Sequence, residues 1–317
     1  MVHMHLETRE EGGKRRQYLA ASYRKGGAVR KVRVFLGTNL LPKEVEIRRD
    51  RARAQLSARL LELQHLPDPY LAELPAEELE RLKSLTRLDE MLKVHHLSED
   101  DWERFTKAFT YDTNAIEGST LESREVANIL GKDKWPNKPK EEISETYGVA
   151  RAVRLIRETD DALSLPLLLE LHRLTFENSK HFAGQFRKPG VEVAILGPRG
   201  EIVHRGAPSR EVPHLLEQLA DWYRKYRQRY PPLLLAAVVH NQFENIHPFE
   251  DGNGRVGRLL LNNILLKHGL PPVNIELRNR KAYYASLQAY EQEHDLRPTL
   301  RLLRREYRAL AHLLKKR

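Results

Sequence analysis

The sequence predicts a mainly α-helical fold: a helical bundle with one β-hairpin inserted, preceded by an appendage of a β-hairpin and a helix. Three observations carry this. Apolar residues recur at three- and four-residue spacing along most of residues 71–317, the pattern of helices with one buried stripe. Two stretches, 17–37 and 191–204, set β-rich arms around glycines instead. "LPDPY" (66–70) breaks the helical pattern near residue 70, which divides an appendage over 1–70 from a main domain over 71–317.

The elements follow in order. "QYLAASYRKGGAVRKVRVFLG" (17–37) reads as a hairpin, with Gly26-Gly27 supplying the positive-φ turn. Val32, Val34 and Leu36 alternate there with basic residues and Phe35. Pro42 ends the strands, and 44–66 reads as a helix. Helices are predicted over 76–95 and 99–110, the second capped by Ser98. Further helices are predicted over 122–130, 141–158, 165–177, 211–228, 231–246, 254–268, 280–293 and 298–316. "VEVAILGPRGEIVH" (191–204) is a hairpin inside this helical domain. A lone hairpin is marginal unless something packs on it or pairs with its edge.

Composition bounds the function. The 317 residues contain no cysteine, which excludes disulfides, thiolate metal sites and a cysteine nucleophile. The longest apolar run, "PPLLLAAVVH", is about half of what a membrane span needs. The start lacks the apolar core of a secretory signal. A cytoplasmic protein without a membrane partner is expected. The net charge of +10 favours polyanionic partners such as nucleotides and nucleic acid; a solvated, arginine-rich surface is the alternative.

The stretch "HPFEDGNGRVGR" (247–258) interrupts two helices. Pro248 disfavours helix at His247, and glycines then open onto a helix N-terminus. That is an anion site, with free N–H groups, a favourable dipole end and no Cβ in the way. Arg255 and Arg258 share a face of the first turn and can grip a polyphosphate. Cations there oppose the helix dipole, so an anionic ligand is inferred. Asp251 fits the same loop if Mg²⁺ bridges it to phosphate. His247 at the rim can accept a proton from a nucleophile.

At these residues the chain resembles the Fic family, whose signature H-x-F-x-[DE]-G-N-G-R-x-x-R is matched at every fixed position. The likeness extends over roughly residues 100–295. The resemblance implies a Fic-type helical bundle that transfers AMP from ATP to a protein hydroxyl. It implies that His247 deprotonates a Ser, Thr or Tyr of the target and that Phe249 packs inward to hold the loop. Asp251 would hold Mg²⁺; Gly252, Asn253 and Gly254 would cradle phosphate; Arg255 and Arg258 would bind its outer part. The hairpin 191–204 falls where the family has its flap, on which a target segment pairs; a structural lid is the alternative.

"TNAIEGST" (113–120) matches the family's inhibitory motif through Thr113, Glu117 and Gly118. The resemblance pairs Glu117 with Arg258, occupying the guanidinium that would hold the γ-phosphate. It also implies a homodimer, and in some members removal of AMP by the same glutamate. "NRKAYYASLQAYE" resembles the base-lining segment, with Tyr283 and Tyr284 as candidate walls or as core. Glu291 stands where some relatives have Asn, leaving the base open. His240, Glu244 and His247 do not have the H-E-x-x-H zinc spacing; His240 reads as core. Gly184 and Arg187 read as structural support. The basic face of the N-terminal hairpin either touches nucleic acid or packs as a solubilised hairpin.

The reading is an autoinhibited protein adenylyltransferase using Mg-ATP. The alternatives are a de-AMPylase or a transferase of another nucleotide, and a non-catalytic nucleotide-sensing or DNA-binding regulator.

Overall fold

The computed structural model describes residues 4–25, 28–64, 71, 76–86, 94–196 and 202–315. The predicted turns at Gly26-Gly27 and 197–200 and the break at 66–70 lie outside the described residues. The chain divides into two compact units, Met1–Glu73 and Leu74–Arg317.

The first unit holds a three-stranded antiparallel sheet, β1 (Met4–Glu11), β2 (Lys14–Lys25) and β3 (Ala28–Thr38), in that order. The predicted hairpin is β2–β3; the additional strand β1 corrects it. Strand β1 pairs only with β2, Met4 opposite Ala21 and Glu11 opposite Lys14. Of its residues, Met4 and Leu6 alone are apolar, so it reads as a solvated tail. Gly12 and Gly13 make the turn, both at positive φ. Helix α1 (Pro42–Gln64) covers one face of the sheet. Leu19, Ala21, Val34 and Leu36 form a core there with Val45, Ala52 and Leu56.

The second unit is helical. Helix α2 (Ala76–Leu85) stops well short of the predicted residue 95. Thr86 ends it by donating both its N–H and its hydroxyl to the Lys83 carbonyl. Val94–His96 is a single 3-10 turn. Helix α3 (Glu99–Ile116) starts at the predicted cap, where Ser98 and Asp101 form a reciprocal capping box. It runs past the predicted residue 110, because tertiary packing buries Thr110, Asp112, Thr113 and Asn114. The Asp112 carboxylate accepts from the Leu277 N–H and the Asn274 amide.

Helices α4 (Ser123–Lys132), α5 (Lys140–Glu158) and α6 (Leu165–Phe176) precede a small hairpin, β4 (Ala194–Leu196) and β5 (Ile202–Arg205). The order closes with α7 (Val212–Tyr226), α8 (Pro232–Ile246), α9 (Asn253–Lys267), α10 (Arg280–Glu293) and α11 (Arg297–Lys315). The predicted hairpin is present with shorter strands than its 191–204 span. Helices α8 and α9 form the centre, and residues 233–241 of α8 are all buried. The loop between them therefore grows out of the middle of the core. No described helix is long and apolar enough to cross a membrane.

Candidate active site

Helix α8 ends at Ile246, and His247 turns the chain in the left-handed region at φ 52 and ψ 62. A non-glycine residue there is uncommon and costs energy that the surroundings must offset. The buried Arg187 supplies the brace. Its Nε donates to the His247 carbonyl at 2.8 Å, and its own N–H donates to Pro248 O at 3.0 Å. The same guanidinium donates to the carbonyls of Val191 and Ala207, on either side of the hairpin. Arg187 therefore holds the 247–252 loop and both ends of the β4–β5 hairpin together, a structural support as its position in the sequence suggests.

Inside the loop, Phe249 is fully buried and stacks on His172 at 3.9 Å between ring centres. His172 accepts from Gly184 N–H at Nδ1, so Nε2 carries the proton and donates to Asp251 O at 3.1 Å. Burial holds this imidazole neutral, lowering its pKa to about 4. The Asn253 amide closes the loop: Oδ1 accepts from Phe249 N–H at 2.8 Å and Nδ2 donates to Phe249 O at 2.9 Å. Gly252 sits at φ 82 against the Phe176 ring, where a Cβ would collide. Only glycine fits that position.

His247 directs Nδ1–H at Glu244 O, 3.1 Å away. Its Nε2 is then the lone-pair nitrogen. Burial lowers the His247 pKa to about 4, so the ring is a neutral acceptor at ordinary pH. His247 lines a cavity of about 480 Å³ together with Glu117, Asp251, Gly252, Asn253, Gly254, Tyr283 and Tyr284. Eight of the predicted site residues therefore share one cavity.

The remaining three stand behind it. Phe249 supports the loop. Arg255 pairs with Glu145 and stacks its guanidinium over Phe176 at 4.3 Å. Arg258 is buried and its donors are taken up. Nε donates to Thr113 Oγ1 at 2.8 Å, and Nη2 donates to Thr113 O at 3.0 Å and to Glu117 Oε1 at 2.7 Å. Nη1 reaches the Tyr283 hydroxyl at 3.2 Å. Glu117 caps the end of α3, and Gly118 at φ 99 turns the chain away. The Glu117 carboxylate lies over Gly254, where a Cβ would strike it.

Asp251 presents a half-exposed carboxylate, with Lys180 Nζ at 3.2 Å and Arg255 at 3.9 Å. Burial pushes its pKa up, but Arg255 and Lys180 outweigh that and hold it low. One such carboxylate facing an anion cradle fits the habit of Mg²⁺, which takes few protein ligands and keeps its waters. Among the described residues no three His, Asp or Glu converge as a metal site. His240 is core: its Nε2 lies 3.2 Å from the Tyr283 hydroxyl.

Tyr283 is buried and Tyr284 partly exposed. Glu291 accepts from His204 of the flap at 2.8 Å. Glu244, His204, Lys180 and Glu145 are polar contributors that the sequence analysis did not assign. Glu244 carried a signal, lying three residues before His247 on the same helix.

Residues 162–265 match the Fic/DOC family. The chain is 34% identical over 201 residues to "Protein adenylyltransferase fic-1" of Caenorhabditis elegans, covering 61% of this chain and 38% of that protein. It is 32% identical over 200 residues to "Protein adenylyltransferase Fic" of Aedes aegypti, with the same coverages. The chain thus spans well under half the length of these curated relatives. Among solved structures, Fic-1 from Caenorhabditis elegans superposes with a TM-score of 0.60 at 26% identity, covering 88% of this chain and 78% of that one. A Fic domain containing signaling protein from Bacteroides thetaiotaomicron superposes with a TM-score of 0.59 at 25% identity, covering 75% and 92%.

Proposed function

From the premise that residues 162–265 are a domain of the Fic/DOC family, we propose that the chain is an autoinhibited protein adenylyltransferase. The observation that carries this is one cavity lined by a neutral His247, a glycine cradle at the start of α9 and Glu117, whose carboxylate pairs with Arg258 behind it. In the reaction His247 Nε2 takes the proton of a target hydroxyl. The oxygen attacks the α-phosphorus of ATP, the new O–P bond forms, and the bond to pyrophosphate breaks in line. The N–H groups at the start of α9 orient the phosphates, and catalysis rests on positioning and charge stabilisation. Asp251 would hold Mg²⁺, which when bound neutralises phosphate charge. The flap β4–β5 would register a target segment by edge pairing, and Tyr284 would border the nucleoside.

Glu117 is the brake in this scheme. While it holds Arg258, that guanidinium is not available to the outer phosphate, and the α-phosphate is badly posed. A charge-assisted hydrogen bond is worth about 1.5–3 kcal/mol, so Glu117→Gly should raise the rate by about ten- to a hundredfold.

The test uses ATP labelled on the α-phosphate beside ATP labelled on the γ-phosphate. Self-labelling from the α-label alone, raised in Glu117→Gly and abolished in Glu117→Gly/His247→Ala, is expected. Label from the γ-phosphate would show phosphotransfer instead. Labelled protein chased without ATP separates transfer from AMP removal.

A second reading concerns the N-terminal sheet. Residues 12–43 contain many Lys and Arg and no Asp or Glu. Glu7 of β1 is held down at about 2 by hydrogen bonds from Arg33 and Arg9, as befits a cationic face. We propose that this face contacts duplex DNA, whose major groove admits two strands. Affinity should fall with salt, and Arg16→Ala should lower the log–log slope by about 1. Salt-independent binding, or no binding, would exclude the contact.

A further inference from the structure

A second histidine stands beside His247. His204 lies on β5 opposite Ile195 of β4. Its ring centre is 5.3 Å from that of His247, inclined at 55°. The two rings are anchored alike. His247 gives Nδ1–H to the Glu244 carbonyl at 3.1 Å, and His204 Nδ1 meets Glu291 Oε1 at 2.8 Å. An imidazole that gives one N–H to a carboxylate keeps a lone pair on the other nitrogen. His204 Nε2 is buried and has no hydrogen-bond partner. A buried polar atom left without a partner is rare and calls for an explanation.

The placement is rigid. Two residues on, Gly206 packs against the His247 Cβ, where a side chain would be crowded out. Gly206 N–H donates to Val193 O, and Ala207 N–H to Ile246 O. The flap strand is therefore pinned beside His247.

We propose that His204, held by Glu291, is the proton-accepting partner of His247: the proton His247 strips from the target hydroxyl passes to His204 Nε2. The inference rests on the transfer reading above. The step balances. The hydroxyl proton goes to His247 Nε2 as the O–P bond forms and pyrophosphate leaves with the electron pair. It then moves to His204 Nε2, directly or through one water, and His247 returns to its neutral form. His247 is a poor place to keep that charge: it is buried, and His204 of β5 and Arg187 of the 187–193 segment both stand against a second positive charge there, opposed by the Glu244 carbonyl and by Glu117 at the end of α3. His204 has its own carboxylate from α10, so its imidazolium is neutralised on the spot. The arrangement is a carboxylate–histidine pair serving a second histidine, as orienting carboxylates do elsewhere.

The experiment compares AMP transfer in the Glu117→Gly background, where the brake is off, for His204→Gln, His204→Ala and Glu291→Gln. His204→Gln is expected to lower kcat ten- to a hundredfold, within the range of one proton-transfer group, with KM for ATP changed less than threefold. The acid limb of the pH–rate profile should move in His204→Gln. Glu291→Gln, which leaves the flap strand intact, should show a smaller loss. Added imidazole should restore part of the rate to His204→Ala but none to Glu117→Gly/His247→Ala. A loss confined to KM, an unmoved pH profile, or no imidazole rescue would make His204 a structural residue and overturn the proposal. Label in Glu117→Gly with unchanged rates in all three variants overturns it alone. No label in Glu117→Gly itself overturns the transfer reading and this inference with it.

Discussion

Replacing Asn253 with alanine removes both hydrogen bonds that close the 247–253 loop onto itself. The Phe249 N–H and carbonyl would lose partners at 2.8 and 2.9 Å, at a residue with no exposed surface. A buried group left unpaired costs about 1–3 kcal/mol. Two such groups are left, so a net loss of about 3 kcal/mol is expected. For a domain of 150–250 residues each kcal/mol moves the midpoint by about 2–4 °C, which gives a fall of about 6–12 °C. Scanning calorimetry of wild type and Asn253→Ala at one pH measures it. A shift within about 1 °C would refute the reasoning, because it would mean that the loop stays closed without the Asn253 amide.

Gly252→Ala should cost at least about 2 kcal/mol, since it adds a positive-φ penalty to a collision with the Phe176 ring; urea unfolding reads it, and an unchanged midpoint would contradict the geometry. Arg187→Lys keeps the charge but loses the fork that reaches four backbone carbonyls on three segments, so the expected loss is about 2 kcal/mol or more, with AMP transfer falling alongside. Glu244 is buried, and burial raises its pKa to about 8 from 4.5. Its protonated form contributes stability that is full below pH 4.5 and is lost as pH rises through 8. Glu244→Gln mimics that form, so the stability of the variant relative to wild type should grow across pH 4.5–8 and then level off; a constant difference would show that Glu244 titrates normally. His172 and His247 run the other way: both have pKa values lowered to about 4, so the stability tied to their neutral rings is lost as pH falls from 6.5 through 4.

Much of the active loop was legible before any coordinates, because its chemistry is local. Glycine punctuation, a proline after His247 and paired arginines sit within twelve consecutive positions. Helices with a clear apolar stripe were placed to within two residues, as at α8 and α10. What could not be read depends on partners distant in the chain. Strand β1 looks solvated because an edge strand needs little apolar surface. The last turns of α3 contain Thr110, Asp112, Thr113 and Asn114, poor helix formers, and hold as helix because they are buried and because Asn274, the Leu277 N–H and Arg258 take up the polar groups of Asp112 and Thr113. Arg187 and His204 are single residues in loop and strand, and their significance lies in which carbonyl or ring stands opposite. Spacing alone cannot supply that information.

The Arg258 guanidinium donates three of its bonds to Thr113 of α3 and to Glu117 that caps it, a helix far earlier in the chain. Chains emerge from the ribosome N-terminus first, and domains tend to fold as they appear. The restraining helix is therefore synthesised before the loop it restrains. On the autoinhibited reading proposed above, the centre is restrained from the moment it forms, and activity would follow a movement of α3. Because two of the three bonds come from Thr113, loss of Glu117 alone frees the charge but leaves the arginine moored. A displacement of the whole helix would release both, so a binding event at α3 could switch the protein further than any single substitution at Glu117.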